Sequence, residues 1–182
     1  MKKTLVKILA LAVVAVFALS MIACGGGPQP NLDLEDAADN LRDNGYLVTY
    51  NDDFDDPGIV ATLNATDDSY NYIRMIEYKD STLAKLSLEE YEMRMETDLL
   101  EFEYEIKELE LEIEQLEHYL DEYADKLSSD EEDDLEDELE DAKDDLEEAK
   151  EELEDYKKEN SCGRSGNIVW YGKVDAIEDT KE

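Results

Sequence analysis

The chain has 182 residues and is strongly acidic: 52 Asp and Glu side chains against 17 Lys and Arg give a formal net charge of −35 at pH 7. Residues 81–160 hold 35 of the acidic and 8 of the basic side chains. Such a surface repels nucleic acid and anionic lipid, and it attracts basic proteins and divalent cations. Nucleic-acid binding is therefore excluded. One hypothesis is a basic envelope protein or peptide as partner, and the alternative is a solvated acidic face with no specific partner.

The first 23 residues have the order of a secretory signal peptide. Lys2, Lys3 and Lys7 precede an apolar run over residues 8–22, which is too short for a typical transmembrane helix. A small residue, Ala23, closes the run. The segment therefore predicts export, with residues 1–23 removed from the mature protein.

The end of this segment, Ser20-Met21-Ile22-Ala23-Cys24, resembles the lipobox of bacterial lipoproteins. That resemblance implies cleavage before Cys24 and diacylation of its thiol. Two acyl chains are sufficient for stable anchoring, whereas one gives marginal binding. We therefore expect a lipid-anchored protein on the extracytoplasmic side of a membrane of the bacterial cell envelope.

The mature chain predicts a small α+β domain with a four-stranded antiparallel sheet packed with helices. Residues 24–31, with three glycines and two prolines, predict a flexible tether, and residues 32–80 and 163–182 predict the domain. A lone strand is unstable, so the last strand is expected to pair in the same sheet as the first three. The predicted strands, rich in β-branched and aromatic residues, are Tyr46–Tyr50, Ile59–Ala65, Tyr70–Tyr78 and Asn167–Tyr171.

Two short helices complete this domain in the prediction. Residues 33–44 carry apolar side chains on one helical face, with Asp33 as N-cap and Gly45 as the stop. Residues 174–180 predict a terminal helix.

Residues 81–162 predict a long helical hairpin inserted before the last strand. Apolar residues recur at alternating spacings of three and four along both halves, which is typical of a coiled coil. Ser129 and Glu132 match a capping box, so the break between the helices is expected near them. A break that short favours antiparallel helices. The seam residues are Leu99, Phe102, Ile106, Leu109, Ile113, Leu116, Leu120, Tyr123 and Leu127, followed by Leu135, Leu139, Ala142, Leu146, Ala149, Leu153 and Tyr156.

Folding the segment about residue 131 places each apolar residue of the first helix against one of the second. In this register one flank of the seam is attractive, because three glutamates lie opposite three lysines. The predicted pairs are Glu103 with Lys157, Glu110 with Lys150, and Glu117 with Lys143. Residues 83–95 depart from the heptad pattern, and we expect them to pack on the sheet.

The other flank is repulsive, because Glu105 and Glu112 lie opposite Glu159 and Glu152. Hard cations prefer clustered carboxylate oxygens. One hypothesis is that these four glutamates bind a divalent cation or a basic group of a partner. The alternative is repulsion tolerated in water. Apart from such weak cation binding, no cofactor is expected.

The sequence favours a non-catalytic protein. His118 is the only histidine, so no histidine-based metal site is expected. The heptad pattern places His118 on the exposed face of its helix, and a nucleophile–histidine pair would need it to leave that face. Cys162 is the only thiol left after lipidation, and it predicts either a partly buried small residue or an intermolecular disulfide. Carboxylates are so numerous that no pair of them indicates acid–base catalysis.

The function predicted from these features is a lipid-anchored envelope protein that acts as a binding or spacer module through its acidic coiled coil. An alternative is a ligand- or substrate-binding protein with a site on an aromatic sheet face, lined by third-strand tyrosines, Trp170 and Tyr171. Exposed Tyr104 and Leu111 lie opposite the seam and give a further hypothesis, homo-oligomerisation.

Overall fold

The computed structural model of the protein describes residues 27–123 and 126–181. The predicted signal peptide over residues 1–23 and the predicted lipidation site, Cys24, lie outside these residues. The elements in chain order are α1 (Leu34–Asp43), β1 (Leu47–Asn51), β2 (Ile59–Thr66), β3 (Tyr72–Tyr78), α2 (Ser81–Tyr123), α3 (Ser129–Glu159), β4 (Asn160–Ser165), β5 (Ile168–Lys173) and α4 (Val174–Glu178).

The protein is α+β, and its antiparallel sheet has five strands in the order β1-β2-β3-β5-β4. The prediction of four strands was wrong, because β4 lies partly in the segment assigned to the helical hairpin. Its sequence is polar and lacks β-branched residues. β4 forms through its turn instead: Gly166 adopts a φ of 61°, which suits a two-residue hairpin turn into β5. Gly163 leaves room for the Trp170 ring opposite, since a Cβ there would lie 2.4 Å from it.

One face of the sheet is covered by α1 and α4. Asp33 caps α1 as predicted, because its Oδ1 accepts hydrogen bonds from the amides of Glu35 and Asp36 at 3.1 and 3.2 Å. The buried face of the helix then meets alternate residues of the strands. This core contains Leu34, Ala37, Ala38, Leu41, Leu63, Ile73, Met75, Trp170, Ala176 and Ile177, among others.

The opposite face carries the start of α2. Ala84, Tyr91 and Met95 are buried in one cluster with Cys162 and Val169. This contact agrees with the predicted packing of residues 83–95 on the sheet. Cys162 is buried, which agrees with the prediction of a buried small residue, and the intermolecular disulfide stays a prediction.

The folded part of the chain begins earlier than predicted. Pro30 is buried, and the amide of Asn31 donates a hydrogen bond to Thr180 Oγ1 at 2.8 Å. Thr180 is fully buried, and its hydroxyl also donates to the carbonyl of Ile177 at 2.7 Å. Pro30 and Asn31, which the prediction placed in the flexible tether over residues 24–31, are therefore held to the sheet unit, while residues 24–26 lie outside the described residues.

The chain divides into two compact units. The sheet unit takes in the described residues up to Glu96 and from Asn160 onward, and the helical unit is Thr97–Glu159. The predicted hairpin over residues 81–162 begins at Ser81, the first residue of α2, and ends inside β4, which starts at Asn160. The first turns of α2 and all of β4 belong to the sheet unit.

Candidate functional site

Two ion pairs join the helices of the helical unit. Lys143 Nζ lies 2.9 Å from Glu117 Oε1, and Lys150 Nζ lies 3.3 Å from Glu110 Oε1. A step of seven residues forward along α3 is thus matched by seven residues backward along α2, so the helices run antiparallel there. Both pairs were predicted. The third, Glu103 with Lys157, is not among the ion pairs formed by the described residues.

Burial in the helical unit follows the predicted seam. Leu99, Ala142 and Ala149 are buried, and the other predicted seam residues are all half-buried, whereas most of the residues between them are exposed. The two alanines are the smallest residues of the seam and among its least exposed. The apolar stripe of each helix therefore faces away from water over this length.

A hydrogen bond fixes the end of α3. The Tyr156 hydroxyl donates to Asp98 Oδ2 at 2.6 Å, and its ring lies 5.5 Å from the Phe102 ring, centre to centre. The ring contact with Phe102 and the charge-assisted hydrogen bond to Asp98 therefore both act on Tyr156 at the same end of the helical unit.

The turn between the helices is capped one residue earlier than predicted. Ser128, not Ser129, is the capping serine: Glu131 Oε2 accepts from the Ser128 amide at 3.0 Å and from its hydroxyl at 2.8 Å. The Glu131 amide donates to Ser128 Oγ at 3.4 Å. The two hydrogen bonds from Ser128 to the Glu131 carboxylate stabilise its ionised form and so lower the pKa of Glu131.

Near this turn the helical unit carries a groove of about 580 Å³, which we call the acidic groove. Leucines from both helices and one tyrosine form its apolar surface, and four carboxylates border it. The lining residues are Glu112, Gln115, Leu116, Tyr119, Leu127, Glu131, Asp134, Leu135 and Glu138. Such a groove combines apolar contact area with negative charge.

The predicted cation site is only partly related to this groove. Glu105, Glu112, Glu152 and Glu159 are all exposed, and Glu112 alone lines the acidic groove. Among residues 27–123 and 126–181, no group of three or more His, Cys, Asp or Glu side chains is arranged to hold a metal ion. Cation binding by the four glutamates therefore stays a prediction.

The sheet unit has a second groove, on the face that carries the start of α2. We call it the sheet-face groove; its volume is about 350 Å³. Thr49, Asn64, Arg74 and Tyr171 are successive cross-strand neighbours on β1, β2, β3 and β5, so their side chains share this face. Helix α2 adds Tyr91 and Arg94 to the wall. The remaining lining residues are Leu47, Ala65, Thr66, Tyr72 and Ile73.

Aromatic contacts fix one wall of the sheet-face groove. The Tyr91 ring stacks on the Tyr171 ring at 5.2 Å between centroids and 4° between planes. The Tyr72 hydroxyl is 2.8 Å from the Tyr171 hydroxyl. Burial raises the pKa of Tyr91, and the charges of Arg74 and Arg94 act against that rise. Arg74 and Arg94 line the same groove as Tyr91.

The predicted aromatic site was wrong in one residue. Trp170 and Tyr171 are adjacent in β5, so their side chains point to opposite faces of the sheet. Trp170 packs in the core beneath α1 and α4. Tyr72 and Tyr171 remain, and Arg74 and Arg94 were missed because they come from separate elements.

The single histidine is not part of either groove. His118 is exposed on α2, with Nε2 3.4 Å from Glu122 Oε2. No nucleophile pairs with it in the hydrogen bonds of the described residues.

Comparisons of the chain with family models, curated proteins and solved structures give no match. No helix in the described parts of the chain is both long enough and apolar enough to span a membrane.

Proposed function

We propose that this protein is a lipid-anchored, non-catalytic binding module of the bacterial cell envelope, whose helical unit binds a basic amphipathic segment of another protein. The observation that carries the proposal is the acidic groove, where leucines of α2 and α3 lie beside carboxylates. A basic amphipathic helix presents one apolar face and a border of lysine or arginine, which complements both features.

Apolar contact and charge contribute differently to this binding. Burial of apolar surface against Leu116, Leu127 and Leu135 contributes about 25 cal/mol per Å² removed from water, and the entropy lost on association offsets part of it. Each exposed ion pair to the bordering carboxylates adds only ~0.2–1 kcal/mol. The net charge of −35 steers a basic partner toward the module and speeds association.

We further propose that α2 and α3 form an antiparallel coiled coil along the helical unit. The two cross-helix ion pairs and the half-buried seam support it. Paired helices hold the leucines of the groove in place, so that less ordering entropy is lost on binding.

The membrane anchor in this proposal is a diacylated Cys24, supported by the lipobox-like sequence before it. Mass spectrometry of the purified protein tests it. An N-terminal peptide that begins at acylated Cys24 is expected. A Cys24→Ala variant should lose both cleavage and acylation, and an intact, unmodified N-terminus in the native protein would contradict the anchor.

The binding proposal is tested with a fluorescent Leu–Lys amphipathic peptide of about 14 residues, titrated into the full-length chain and followed by anisotropy. Asp134→Asn with Glu138→Gln removes two carboxylates of the acidic groove and leaves the Ser128–Glu131 cap intact. Asp144→Asn with Glu148→Gln is the matched control: residue types, spacing, helix and charge change are the same, but the positions lie outside the groove.

The groove variant should bind the peptide at least threefold more weakly than the control variant, since only it loses local ion pairs. A peptide of the same composition with a scrambled order should bind more weakly to all forms of the protein. Equal affinities of the two variants would show that only the overall charge matters, and this would contradict a site at the groove.

A further inference from the structure

The sheet-face groove has an unusual charge for this molecule. Two of the four arginines of the chain, Arg74 and Arg94, line it. Its eleven lining residues include no Asp or Glu, although the chain has 52 of them. The groove is thus a local positive site on an acidic protein.

The guanidinium groups retain hydrogen-bond donors for a ligand. Arg94 Nη2 is 2.6 Å from Glu90 Oε1, one helical turn away on α2, which occupies part of its planar fork. Arg74 is exposed and forms no ion pair with any described residue. The only cation over an aromatic ring among the described residues is Lys126. Neither Arg74 nor Arg94 therefore makes a cation–π contact with a tyrosine of the groove.

The rest of the wall suits an apolar body. The Tyr91–Tyr171 stack is held rigid by burial of Tyr91 against the sheet, and Leu47, which is 77% exposed, extends the opposite side. Thr49 and Asn64 add hydrogen-bonding groups on the floor. A volume of about 350 Å³ is within the usual range for small-molecule sites.

We propose that the sheet-face groove binds a small organic anion, a molecule with a compact apolar body and one carboxylate or phosphate group. Arg74 binds the anionic group, Arg94 supports it, and Tyr91 and Tyr171 contact the body. Arginine suits this role because its planar fork pairs with both anions in a bidentate manner. The site is independent of partner binding by the helical unit.

Three ring compounds of similar size serve as probes: benzoate, phenyl phosphate and neutral benzamide. Their binding to the full-length chain is measured by NMR, following the arginine Nε–H signals and the backbone amides. Benzoate or phenyl phosphate should shift the signals of Arg74, Arg94 and the β1–β2 residues, while benzamide should bind at least tenfold more weakly. Whichever anion binds more tightly identifies the preferred head group.

Variants separate a site from general charge. Arg74→Gln should weaken binding of the preferred anion at least tenfold, about 1.4 kcal/mol. The affinity of Arg74→Lys should lie between those of the native protein and Arg74→Gln, because lysine keeps the positive charge but lacks the planar guanidinium group. Arg42→Gln is the control for the loss of one positive charge, since Arg42 belongs to the same sheet unit but lies outside the groove. Circular dichroism checks that each variant is folded.

Three outcomes overturn the proposal. The first is that no probe shifts any signal at concentrations up to about 10 mM, which would mean that no specific binding is measurable. The second is that benzamide binds as tightly as the two anions. The third is that Arg74→Gln and Arg42→Gln lose binding equally. Anion-selective binding that is lost only in the Arg74 variants supports it.

Discussion

Lys143 and Glu117, 26 positions apart in the chain, meet at 2.9 Å between Nζ and Oε1. The contact joins the two long helices, because Glu117 belongs to α2 and Lys143 to α3. A second pair, Lys150 with Glu110, repeats it one heptad further from the turn. Two ion pairs therefore support the antiparallel coiled coil that we propose for α2 and α3.

A double-mutant cycle should measure this register directly. Glu117→Lys places two cations together and Lys143→Glu two anions, while the double swap restores the attraction. We expect a coupling energy of ~0.2–1 kcal/mol in urea unfolding, as is usual for exposed pairs.

The cycle is needed because any acid-to-lysine change lowers the large negative charge of the helical unit and can stabilise it. Glu114→Lys, an exposed position without an ion pair to a described residue, supplies the control for that general effect. Zero coupling between residues 117 and 143 would contradict the register.

Removing the Tyr156 hydroxyl should destabilise the helical unit. Tyr156→Phe loses the 2.6 Å hydrogen bond to Asp98 but keeps the ring contact with Phe102. The expected loss is about 1 kcal/mol in the free energy of unfolding. Tyr104→Phe, at an exposed position, should change it by less than about 0.5 kcal/mol. Equal effects would mean that the Tyr156 bond does not persist in solution.

Tyr46 should make the sheet unit sensitive to alkaline pH. Burial and then the hydrogen bond to Asp179 Oδ2 at 2.9 Å raise the pKa of Tyr46 above its usual value of 10.0. Because the folded pKa is above the unfolded one, stability is complete below pH 10 and is lost as pH rises through the folded pKa.

The free energy of unfolding in urea, measured at pH 8, 10 and 11, should therefore depend on pH differently in two variants. Tyr46→Phe should cost about 1 kcal/mol at pH 8 through the lost hydrogen bond, and its stability should fall less between pH 8 and 11. Tyr70→Phe, at a position 85% exposed, should behave like the native protein. An unchanged pH dependence in Tyr46→Phe would show that Tyr46 is not the responsible group.

The hypothesis of a cation site at Glu105, Glu112, Glu152 and Glu159 predicts a specific effect of calcium. The melting temperature should rise more with CaCl₂ than with NaCl at equal ionic strength, since NaCl only screens the repulsion. Glu105→Gln with Glu112→Gln should remove the excess, and Glu101→Gln with Glu108→Gln, of the same spacing on the same helix, should not. An excess that is equal in all proteins would contradict a site at these residues.

The sequence predicted features that depend on local periodicity. Heptad spacing predicted which residues of α2 and α3 are half-buried and two of the three proposed ion pairs, and Asp33 marked the start of α1. Features that depend on small local differences were missed. Ser128 with Glu131 and Ser129 with Glu132 have the same spacing, so the sequence alone could not choose between these two caps.

β4 and the sheet-face groove were missed for different reasons. The polar residues of β4 carry no strand pattern, although the Gly166-Asn167 pair before β5 was an available hairpin signal. Arg74 and Arg94 lie 20 positions apart, on a strand and a helix. Only the packing of α2 on the sheet brings them to one groove, and no spacing rule predicts that.

Charge reversal of the acidic groove tests the central claim most directly. Asp134→Lys with Glu138→Lys should weaken binding of the Leu–Lys peptide at least tenfold, and it should create binding of a Leu–Glu peptide of the same pattern. Asp144→Lys with Glu148→Lys, with the same change of net charge, should do neither. If both reversed variants respond alike, or if the native chain does not bind the Leu–Lys peptide, the helical unit does not recognise a basic segment through this groove.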